Sequence, residues 1–455
     1  MIQKLCIANR GEIAVRIIRA CKEMGIQSVA LYSTADKDAL HTQLADEAIC
    51  IGGPRVNESY LDMNNIIQAA CSTGCDAIHP GFGFLSENPK FARLVQSCGL
   101  IFVGPDPEII EKMGNKSKAR QMMMEANVPV IPGSKQILAD AQEGLALAKS
   151  MGFPVIIKAS SGGGGRGMRI VRDEDTYVAN FKAAKAEAMA CFGDDDVYME
   201  KYLENPKHIE VQLLADKHGN VIHLFERDCS FQRRNQKMIE EAPCHILDDT
   251  TRQEMLDAAV RAAKYVGYNS VGTIEFLLDK NNHFYFMEMN TRVQVEHPIS
   301  EMITGVDIIK EQIRSADGIV LKYKQADIVS QGYALECRIN AENIAHDFAP
   351  SPGKINFLHI PGGKGVRSDS AVYCGYEIPP YYDSMILKLI TFAPTRLACI
   401  KKMRSALSEL IIDGVHTNIE FHYLVLHAPK FVEGKYDTGF AESYIKELVA
   451  NGEFI

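Results

Sequence analysis

Within residues 285–304, polar and apolar positions alternate from residue 287 to residue 296. Every second position from residue 288 to residue 296 is polar: Glu288, Asn290, Arg292, Gln294 and Glu296. Such alternation is typical of an extended strand, and it places the five polar groups on one face. A half-buried edge strand gives the same pattern, but the mixture of acids, amides and an arginine favours a site that holds a metal and an anion together.

The residues before this stretch predict a β-hairpin. Two β-rich runs, residues 271–279 and 283–289, flank the turn-like Lys280-Asn281-Asn282. A two-residue loop at Asn281 and Asn282 places Glu275 directly opposite Glu288. Opposed carboxylates repel each other, so removing one could stabilise the metal-free protein, whereas a divalent cation relieves the repulsion. The two acids are therefore predicted to bind Mg²⁺, provided that the register does not slip by one residue.

Strands and helices alternate over the N-terminal quarter of the chain. Predicted strands occupy residues 4–9, 28–33, 48–52, 77–79 and 100–103, and predicted helices occupy residues 13–25, 61–72 and 89–98. This order indicates a parallel sheet with helices on both sides. The turn Asn9-Arg10-Gly11-Glu12 lacks the G-x-G-x-x-G fingerprint, so a dinucleotide site is poorly supported. The loop at residues 79–88 is rich in glycine and proline, which fits either turn chemistry or a functional loop.

A strand, a glycine-rich loop and a second strand are predicted at residues 155–171. The run Val155-Ile156-Ile157 leads to Lys158, and consecutive glycines occupy residues 162–165. No Gly-Lys-Ser/Thr sequence opens a helix here, so the segment is not a P-loop. Glycines let successive N–H groups approach phosphate oxygens, and Lys158 adds a positive charge. With the acids downstream, this pattern favours phosphate binding over a merely flexible loop.

A basic segment lies between the glycine loop and the predicted hairpin. Residues 226–243 contain Arg227, Arg233, Arg234 and Lys237, which fit the binding of a small anion or a solvated basic turn. In a protein of net charge −9, a basic segment this concentrated indicates a small anion rather than a nucleic acid.

The pattern changes after residue 323 to a mixed α+β region. Predicted strands occupy residues 334–340, 354–359, 366–368 and 385–391, and predicted helices occupy residues 395–410 and 418–426. Within the first of these strands, Arg338 lies two residues after Glu336. It is either an exposed arginine paired with Glu336 or a functional group that this region contributes to the site.

Composition narrows the class of protein. The chain has 455 residues, of which 46% are hydrophobic and 24% are charged, as is ordinary for a globular protein. This length is enough for about two to four domains. No apolar run approaches the ~18 residues of a membrane span, and the N-terminus does not read as a signal peptide. The twelve cysteines are scattered without a C-x-x-C pair, which indicates reduced thiols and a cytoplasmic location.

The glycine-loop hairpin, the strand lysine and two carboxylates on a later hairpin resemble the ATP-grasp fold. The motifs that carry a closer resemblance, to the biotin carboxylases, are ANRGEIAVRIIRA, HPGFGFLSEN, KASSGGGGRGM, ERDCSFQRRNQK and EMNTRVQVEHPISEMITG. The resemblance runs from residue 1 to near residue 445. It implies an N-terminal parallel α/β domain at residues 1–114, an ATP-grasp domain at 115–330 with a lid near 131–203, and a C-terminal α+β domain at 331–455.

The resemblance also implies roles for individual residues. Nucleotide would be held by Lys116, Lys158, Gly163, Gly164, Gly165, Glu200, Lys201, Leu203, His208 and Asn235. Mg²⁺ or Mn²⁺ would be held by Glu275, Glu288 and Asn290. Bicarbonate would be bound by Lys237, Arg292, Gln294, Glu296 and the backbone of Val295. The chain departs from the family at Asn235, Phe82 and Ser161, where a histidine, a tyrosine and a glycine are common.

These roles imply an ATP-dependent ligase. Glu296 would act as the general base on bicarbonate, carboxyphosphate would form, and Arg338 would face biotin. The resemblance implies the biotin carboxylase subunit of acetyl-CoA carboxylase, in fatty acid synthesis, or of another acyl-CoA or pyruvate carboxylase. Its partners would be a biotin carboxyl carrier protein, carboxyltransferase subunits and a second copy of this chain. The Arg16–Arg19–Glu23 face of the first helix would contribute to that dimer.

The sequence has no Ala-Met-Lys-Met biotinylation motif, so biotin is expected on a separate protein.

Two other classes of function fit the sequence less well. A different ATP-grasp enzyme, a carboxylate–amine ligase or a carbamoyl-phosphate-type enzyme, is disfavoured by the Arg292-Val-Gln-Val-Glu-His-Pro run. A non-catalytic nucleotide-binding protein is disfavoured by the intact set of acid, base and metal residues.

Overall fold

The computed structural model describes residues 1–134, 136–160 and 167–450. Its N-terminal part is the parallel α/β layer that the sequence predicts. The elements are β1 (Lys4–Ile7), α1 (Gly11–Met24), β2 (Gln27–Tyr32), α2 (Leu40–Leu44), β3 (Glu47–Cys50), α3 (Met63–Ser72), β4 (Ala77–His79), α4 (Pro89–Ser97), β5 (Ile101–Phe102) and α5 (Pro107–Gly114). The five-stranded sheet has the order β3-β2-β1-β4-β5, and every pair in it is parallel. Helix α1 ends at Gly25, whose φ of 71° is the left-handed conformation that glycine adopts without strain.

A small subdomain follows, with a sheet of its own. Helix α6 (Lys116–Glu125) precedes it, and its elements are α7 (Ala141–Met151), β6 (Val155–Ala159), β7 (Met168–Val171), α8 (Tyr177–Phe192) and β8 (Val197–Lys201). Strand β6 lies between β7 and β8 in a three-stranded antiparallel sheet. Val155, Ile157 and Phe181 are buried in one core between this sheet and α8. The strand–loop–strand prediction is confirmed, while the glycine loop itself lies outside the described residues.

One eight-stranded antiparallel sheet joins the middle and the C-terminal parts of the chain. The middle part contains β9 (Lys207–Ala215), β10 (Val221–Arg233), β11 (Gln236–Ala242), α9 (Asp249–Val266), β12 (Val271–Leu278), β13 (Phe284–Asn290), α10 (His297–Thr304) and α11 (Ile308–Ala316). The C-terminal part contains β14 (Tyr333–Asn340), β15 (Glu342–Asn343), β16 (Ala349–Pro350), β17 (Gly353–Lys354), β18 (Phe357–His359), β19 (Val366–Ser370), β20 (Glu377–Ile378), β21 (Met385–Ala393), α12 (Arg396–Glu409), β22 (Ile411–Asp413), α13 (Ile419–His427), α14 (Pro429–Val432) and α15 (Phe440–Ala450). The strand order is β13-β12-β9-β10-β11-β14-β21-β19.

The sheet crosses the expected boundary between residues 330 and 331. Strands β11 and β14 pair directly, with Ile239 opposite Cys337. Phe231 of β10 and Leu389 of β21 are buried in the same hydrophobic core. The middle and C-terminal parts therefore share backbone hydrogen bonds and apolar contacts, and the residue boundaries of the three domains stay a prediction.

The helices differ from the sequence predictions in two places. Strand β13 ends at Asn290, although the alternation predicted an extended strand as far as Glu296, and α10 begins at His297. Helix α9 is capped by Asp248, whose side chain accepts from the Thr251 N–H, rather than by Asp249 or Thr250. Within the three described ranges, no helix has the length and apolar character needed to cross a membrane.

Candidate active site

Lys237 lies near the start of β11, and its ammonium group is surrounded by acids. Its Nζ donates to Glu210 Oε2 at 2.5 Å, Glu275 Oε1 at 2.9 Å, Glu296 Oε1 at 2.7 Å and Gln294 Oε1 at 3.2 Å. Burial by itself lowers the pKa of Lys237, but the three glutamates outweigh burial and raise this pKa well above its ordinary value. Lys237 is therefore a fixed positive charge in the middle of the cluster.

Glu296 is buried, and each oxygen of its carboxylate meets a different cation. Oε1 accepts from Lys237, and Oε2 accepts from Arg338 Nη2 at 3.0 Å. Burial favours the neutral acid, but Lys237 and Arg338 overcome it and hold the pKa of Glu296 well below its usual range. Arg338 also donates through Nε to Glu240 Oε1 at 2.6 Å, so its partners are Glu296 and Glu240 rather than Glu336.

Glu275 and Glu288 stand opposite each other in the β12–β13 ladder, as the sequence predicts. Their carboxylates nevertheless diverge. Glu275 Oε1 accepts from Lys237 and from Asn290 Nδ2 at 2.9 Å, whereas Glu288 Oε2 lies 3.0 Å from Lys116 Nζ. Each acid faces a cation, which offsets the repulsion that the sequence interpretation expected in the metal-free pair. Carboxylate and amide oxygens are still the hard donors that suit Mg²⁺.

The five alternating polar residues do not lie on one strand. Strand β13 ends at Asn290, and Glu296 is the N-cap of α10. Between them, Arg292 donates through Nη2 to Asn290 Oδ1 at 2.9 Å and through Nε to Glu87 Oε2 at 2.8 Å. The side chains converge on one place through these contacts, although the single strand face predicted for them was wrong.

Several residues expected at the nucleotide already have protein partners. Lys158 Nζ donates to Glu200 Oε2 at 2.5 Å across the lid sheet. Lys201 Nζ donates to the Gly152 carbonyl at 2.8 Å. His208 Nε2 lies 3.1 Å from Glu275 Oε2, so this nucleotide candidate lies beside one of the expected metal ligands.

Neither of two further nucleotide candidates, Leu203 and Asn235, is fully buried. Leu203 follows β8 and is half-buried. Asn235 is exposed in the β10–β11 turn, with a φ of 63°. Gly163, Gly164 and Gly165 lie outside the described residues, so their assignment stays a prediction.

The basic segment is not one patch. Arg227 is fully buried and donates to Glu210 Oε1 at 2.6 Å. Arg233 and Arg234 both pair with Asp347 of the C-terminal part. Of the four basic residues, Lys237 is the one that donates to Glu296, and Arg227 shares only Glu210 with it, so one concentrated anion patch was the wrong interpretation.

Sequence reasoning missed three residues of the site. Glu87 accepts from Arg292 and from the Thr291 N–H at 3.0 Å, yet 205 positions separate Glu87 from Arg292, and nothing in the sequence links them. Glu210 contacts Lys237, and its polar alternation with His208 on β9 was a usable signal. Arg227 donates to Glu210, whereas the sequence analysis treated it only as one member of the basic segment.

Comparison with known proteins gives matches along most of the chain. Family models match in order: Biotin carboxylase, N-terminal domain (residues 1–110), Carbamoyl-phosphate synthase L chain, ATP binding domain (residues 115–324), and Biotin carboxylase C-terminal domain (residues 336–443). Biotin carboxylase 1 of Bacillus subtilis (strain 168) is 55% identical over 445 residues, which is 98% of this chain and 99% of the relative.

Two solved structures are also similar to the chain. A biotin carboxylase–β,γ-ATP complex from Campylobacter jejuni superimposes with a TM-score of 0.94 and 50% identity, over 97% of this chain and 99% of the other. The biotin carboxylase domain dimer of Hydrogenobacter thermophilus 2-oxoglutarate carboxylase gives a TM-score of 0.93 and 50% identity, over 98% of both chains. Fold and site together define an ATP-grasp ligase. Within that class, the chain belongs to the biotin carboxylase family.

Proposed function

We propose that this protein uses Mg-ATP and bicarbonate to carboxylate biotin on a separate carrier protein. The observation that carries the proposal is Glu296, whose carboxylate is held ionised between Lys237 and Arg338. A buried carboxylate in this state can accept the proton of bicarbonate. The Hydrogenobacter thermophilus domain is in complex with magnesium ADP and bicarbonate, which supports the same substrates for this chain.

In the first half-reaction, a bicarbonate oxygen attacks the γ-phosphorus of ATP, the bond to ADP breaks and carboxyphosphate forms. Glu296 takes the bicarbonate proton. The anion is held by Lys237, Arg292, Gln294 and the backbone of Val295. Glu275, Glu288 and Asn290 would hold Mg²⁺ or Mn²⁺, which offsets the negative charge of the phosphates when it is bound.

The nucleotide would lie between the lid and the eight-stranded sheet. Its binding residues would be Lys116, Lys158, Gly163, Gly164, Gly165, Glu200, Lys201, Leu203, His208 and Asn235. Lys116 and Lys158 each pair with an acid in this structure, so the phosphates would compete with Glu288 and Glu200 for these two cations. A lid is needed because carboxyphosphate hydrolyses in water.

In the second half-reaction, carboxyphosphate breaks to CO₂ and phosphate, and the phosphate takes the proton of the biotin ureido N1. The ureido oxygen then gains negative charge while N1 attacks CO₂. Arg338 would stabilise this charge, because its guanidinium is fixed by Glu240 and Glu296 at the edge of the site.

The carboxyltransferase partners, rather than this chain, would determine the final carboxyl acceptor. We propose that the chain is the biotin carboxylase subunit of acetyl-CoA carboxylase, supplying malonyl-CoA for fatty acid synthesis with a biotin carboxyl carrier protein and carboxyltransferase subunits. Another acyl-CoA carboxylase or a pyruvate carboxylase is the alternative, because the biotin carboxylase subunit of a pyruvate carboxylase also matches this chain at 50% identity.

One assay distinguishes the proposed function from that of an amine-dependent ligase. That alternative arises because residues 115–324 match the ATP-binding domain of the carbamoyl-phosphate synthase L chain. ADP release is measured with bicarbonate alone, with bicarbonate and ammonia, and with bicarbonate and free biotin. We expect bicarbonate to support slow ATP cleavage, ammonia to have no effect and biotin to accelerate it. Cleavage that requires ammonia would refute the biotin carboxylase proposal.

A further inference from the structure

Lys388 is a fully buried lysine in the middle of β21, outside the residues assigned above. Its Nζ donates to the main-chain carbonyl of Val295 at 2.7 Å and lies 3.1 Å from Glu12 Oε2 of α1. Burial lowers the pKa of Lys388, but Glu12, Glu336 and Asp369 outweigh burial and raise it, so the ammonium keeps its charge. One side chain therefore connects the N-terminal layer, the eight-stranded sheet and the segment that carries Glu296.

The position of Lys388 in the sheet links it to Arg338. The two residues are directly opposite each other in the β14–β21 ladder. Like charges in that relation repel each other, and Asp369, directly opposite Lys388 on its other side in β19, offsets that repulsion. The two cations hold neighbouring parts of one segment, since Arg338 binds the carboxylate of Glu296 and Lys388 binds the carbonyl of the residue before it.

The Val295–Glu296 peptide lies between β13 and α10, outside the strand ladder. Side chains hold the carbonyls of this segment in place of a neighbouring strand. His297 Nδ1 lies 2.8 Å from the Gln294 carbonyl oxygen, and Lys388 holds the Val295 carbonyl. Because the orientation of a peptide plane sets the direction in which the next side chain leaves the backbone, the Lys388 contact bears on where Glu296 points.

We propose that Lys388 is a positioning residue, which holds the Val295 carbonyl so that the Glu296 carboxylate stays aligned with bicarbonate. This inference rests on the proposed function, because it requires Glu296 to act as the base. Glu12 has a different part: it balances the buried charge of Lys388 and touches neither Val295 nor Glu296 in the described contacts.

The test uses Lys388→Met, which removes the donor and keeps the length of the side chain. We expect the kcat of bicarbonate-dependent ATP cleavage to fall about 10²-fold, the loss that a misplacement near 1 Å produces. The KM for Mg-ATP should stay within about twofold of the wild-type value, because the nucleotide residues are unchanged. The thermal midpoint should also fall, since Glu12 is left as an unpaired buried charge.

A double variant separates positioning from stability. Glu12→Gln combined with Lys388→Met removes both charges, so we expect it to regain much of the thermal midpoint while its kcat stays low. Lys402→Met is the matched control. Lys402 Nζ donates to the carbonyls of Lys364 and Phe392, in the same part of the chain but away from Glu296. Its loss should leave kcat unchanged.

Three outcomes would overturn the inference. They are a Lys388→Met enzyme with wild-type kcat, a double variant whose kcat recovers together with its stability, and failure of both variants to fold, which would make Lys388 a folding requirement. Failure of the proposed function is distinguishable from all three, because wild-type protein would then show no bicarbonate-dependent ATP cleavage at all.

Discussion

Glu296 is the residue on which the two half-reactions meet. Its two oxygens are occupied by Lys237 and Arg338 before any substrate binds. Under the proposed function, bicarbonate would displace part of the contact between Glu296 and Lys237, and Lys237 would then bind the anion. Arg338 would keep its place beside Glu296 for the biotin half-reaction, so both cations are in position before the substrates arrive.

Arg338 should separate the two half-reactions. We expect Arg338→Gln or Arg338→Ser to keep much of the bicarbonate-dependent ATPase, because Lys237 and Arg292 still hold the anion. Carboxylation of biotin should fall about 10²–10³-fold, the loss typical of one oxyanion donor. The measurement is paired initial rates of ADP release and carboxybiotin formation.

The comparison variant for Arg338 is Arg292→Ala, which should lose both activities. Arg292 is held by Glu87 and Asn290 beside the predicted metal ligands, so its removal affects phosphoryl transfer itself. Equal losses in both assays for the Arg338 variants would place Arg338 in the bicarbonate site and contradict its assignment to biotin.

The two opposed glutamates should respond differently to substitution. Glu275→Gln and Glu288→Gln should each raise the Mg²⁺ concentration needed for half-maximal ATP cleavage. Glu275→Gln should also lower the thermal midpoint of the metal-free protein, because buried Glu275 balances the charge of Lys237. Glu288→Gln should leave that midpoint nearly unchanged, since Glu288 is half-exposed. Wild-type Mg²⁺ dependence in both variants would contradict the metal assignment.

At the scale of the element, the β12–β13 hairpin shows which features of a hairpin the sequence predicts and which it does not. The predicted register of Glu275 and Glu288 is confirmed, but the predicted two-residue loop was wrong. Asp279 N–H donates to the His283 carbonyl, so three residues form the loop. A bulge at Met287 then restores the register, because Glu275 pairs with Glu288 while Phe276 pairs with Phe286. The extra loop residue and the bulge shift the register in opposite directions, so Glu275 still pairs with Glu288. Hydrophobic alternation alone predicts neither the loop length nor the bulge.

The loop offers a test that does not involve the active site. Asn282 adopts a φ of 64°, a left-handed conformation that asparagine tolerates and glycine adopts freely. We expect Asn282→Ala to lower the free energy of unfolding by about 1 kcal/mol, whereas Asn282→Gly should be neutral or slightly stabilising. Urea unfolding curves give both values, and Asn281→Ala is the matched control. Equal effects of alanine at both positions would contradict the loop geometry.

At the scale of the whole molecule, the regular elements were predictable and the contacts between distant segments were not. Helices and strands of the N-terminal layer follow from periodicity and turn residues, as α1 and Gly25 illustrate. By contrast, Glu87 reaches Arg292 and Asp347 reaches Arg233 only because the folded chain brings separate segments together. Local patterning cannot rank such pairs, and so a basic segment looked like one patch although its members divide between two places. Arg227 and Lys237 contact Glu210, whereas the other two arginines contact Asp347.

One of these long-range contacts removes a residue from the helix face that was expected to form the dimer. Arg16 is buried and donates to Glu301 Oε1 at 2.9 Å, so it is not part of an open helix face. Arg19 and Glu23 are exposed and stay candidates for a two-fold interface. We expect Arg19→Glu to shift sedimentation at micromolar concentration from dimer towards monomer, while Lys22→Glu has a smaller effect. Wild-type protein that sediments only as monomer would contradict the dimer.

The pairing of β11 with β14 decides where this chain can be cut or recombined. A protease that nicks the link between α11 and β14 would leave two pieces bound by strand hydrogen bonds and a common core, and they would elute together from a sizing column. A truncated gene that stops before β14 would instead expose β11 as an unpaired edge, which promotes aggregation. Chimaeras of related enzymes should therefore take β11 and β14 from the same parent.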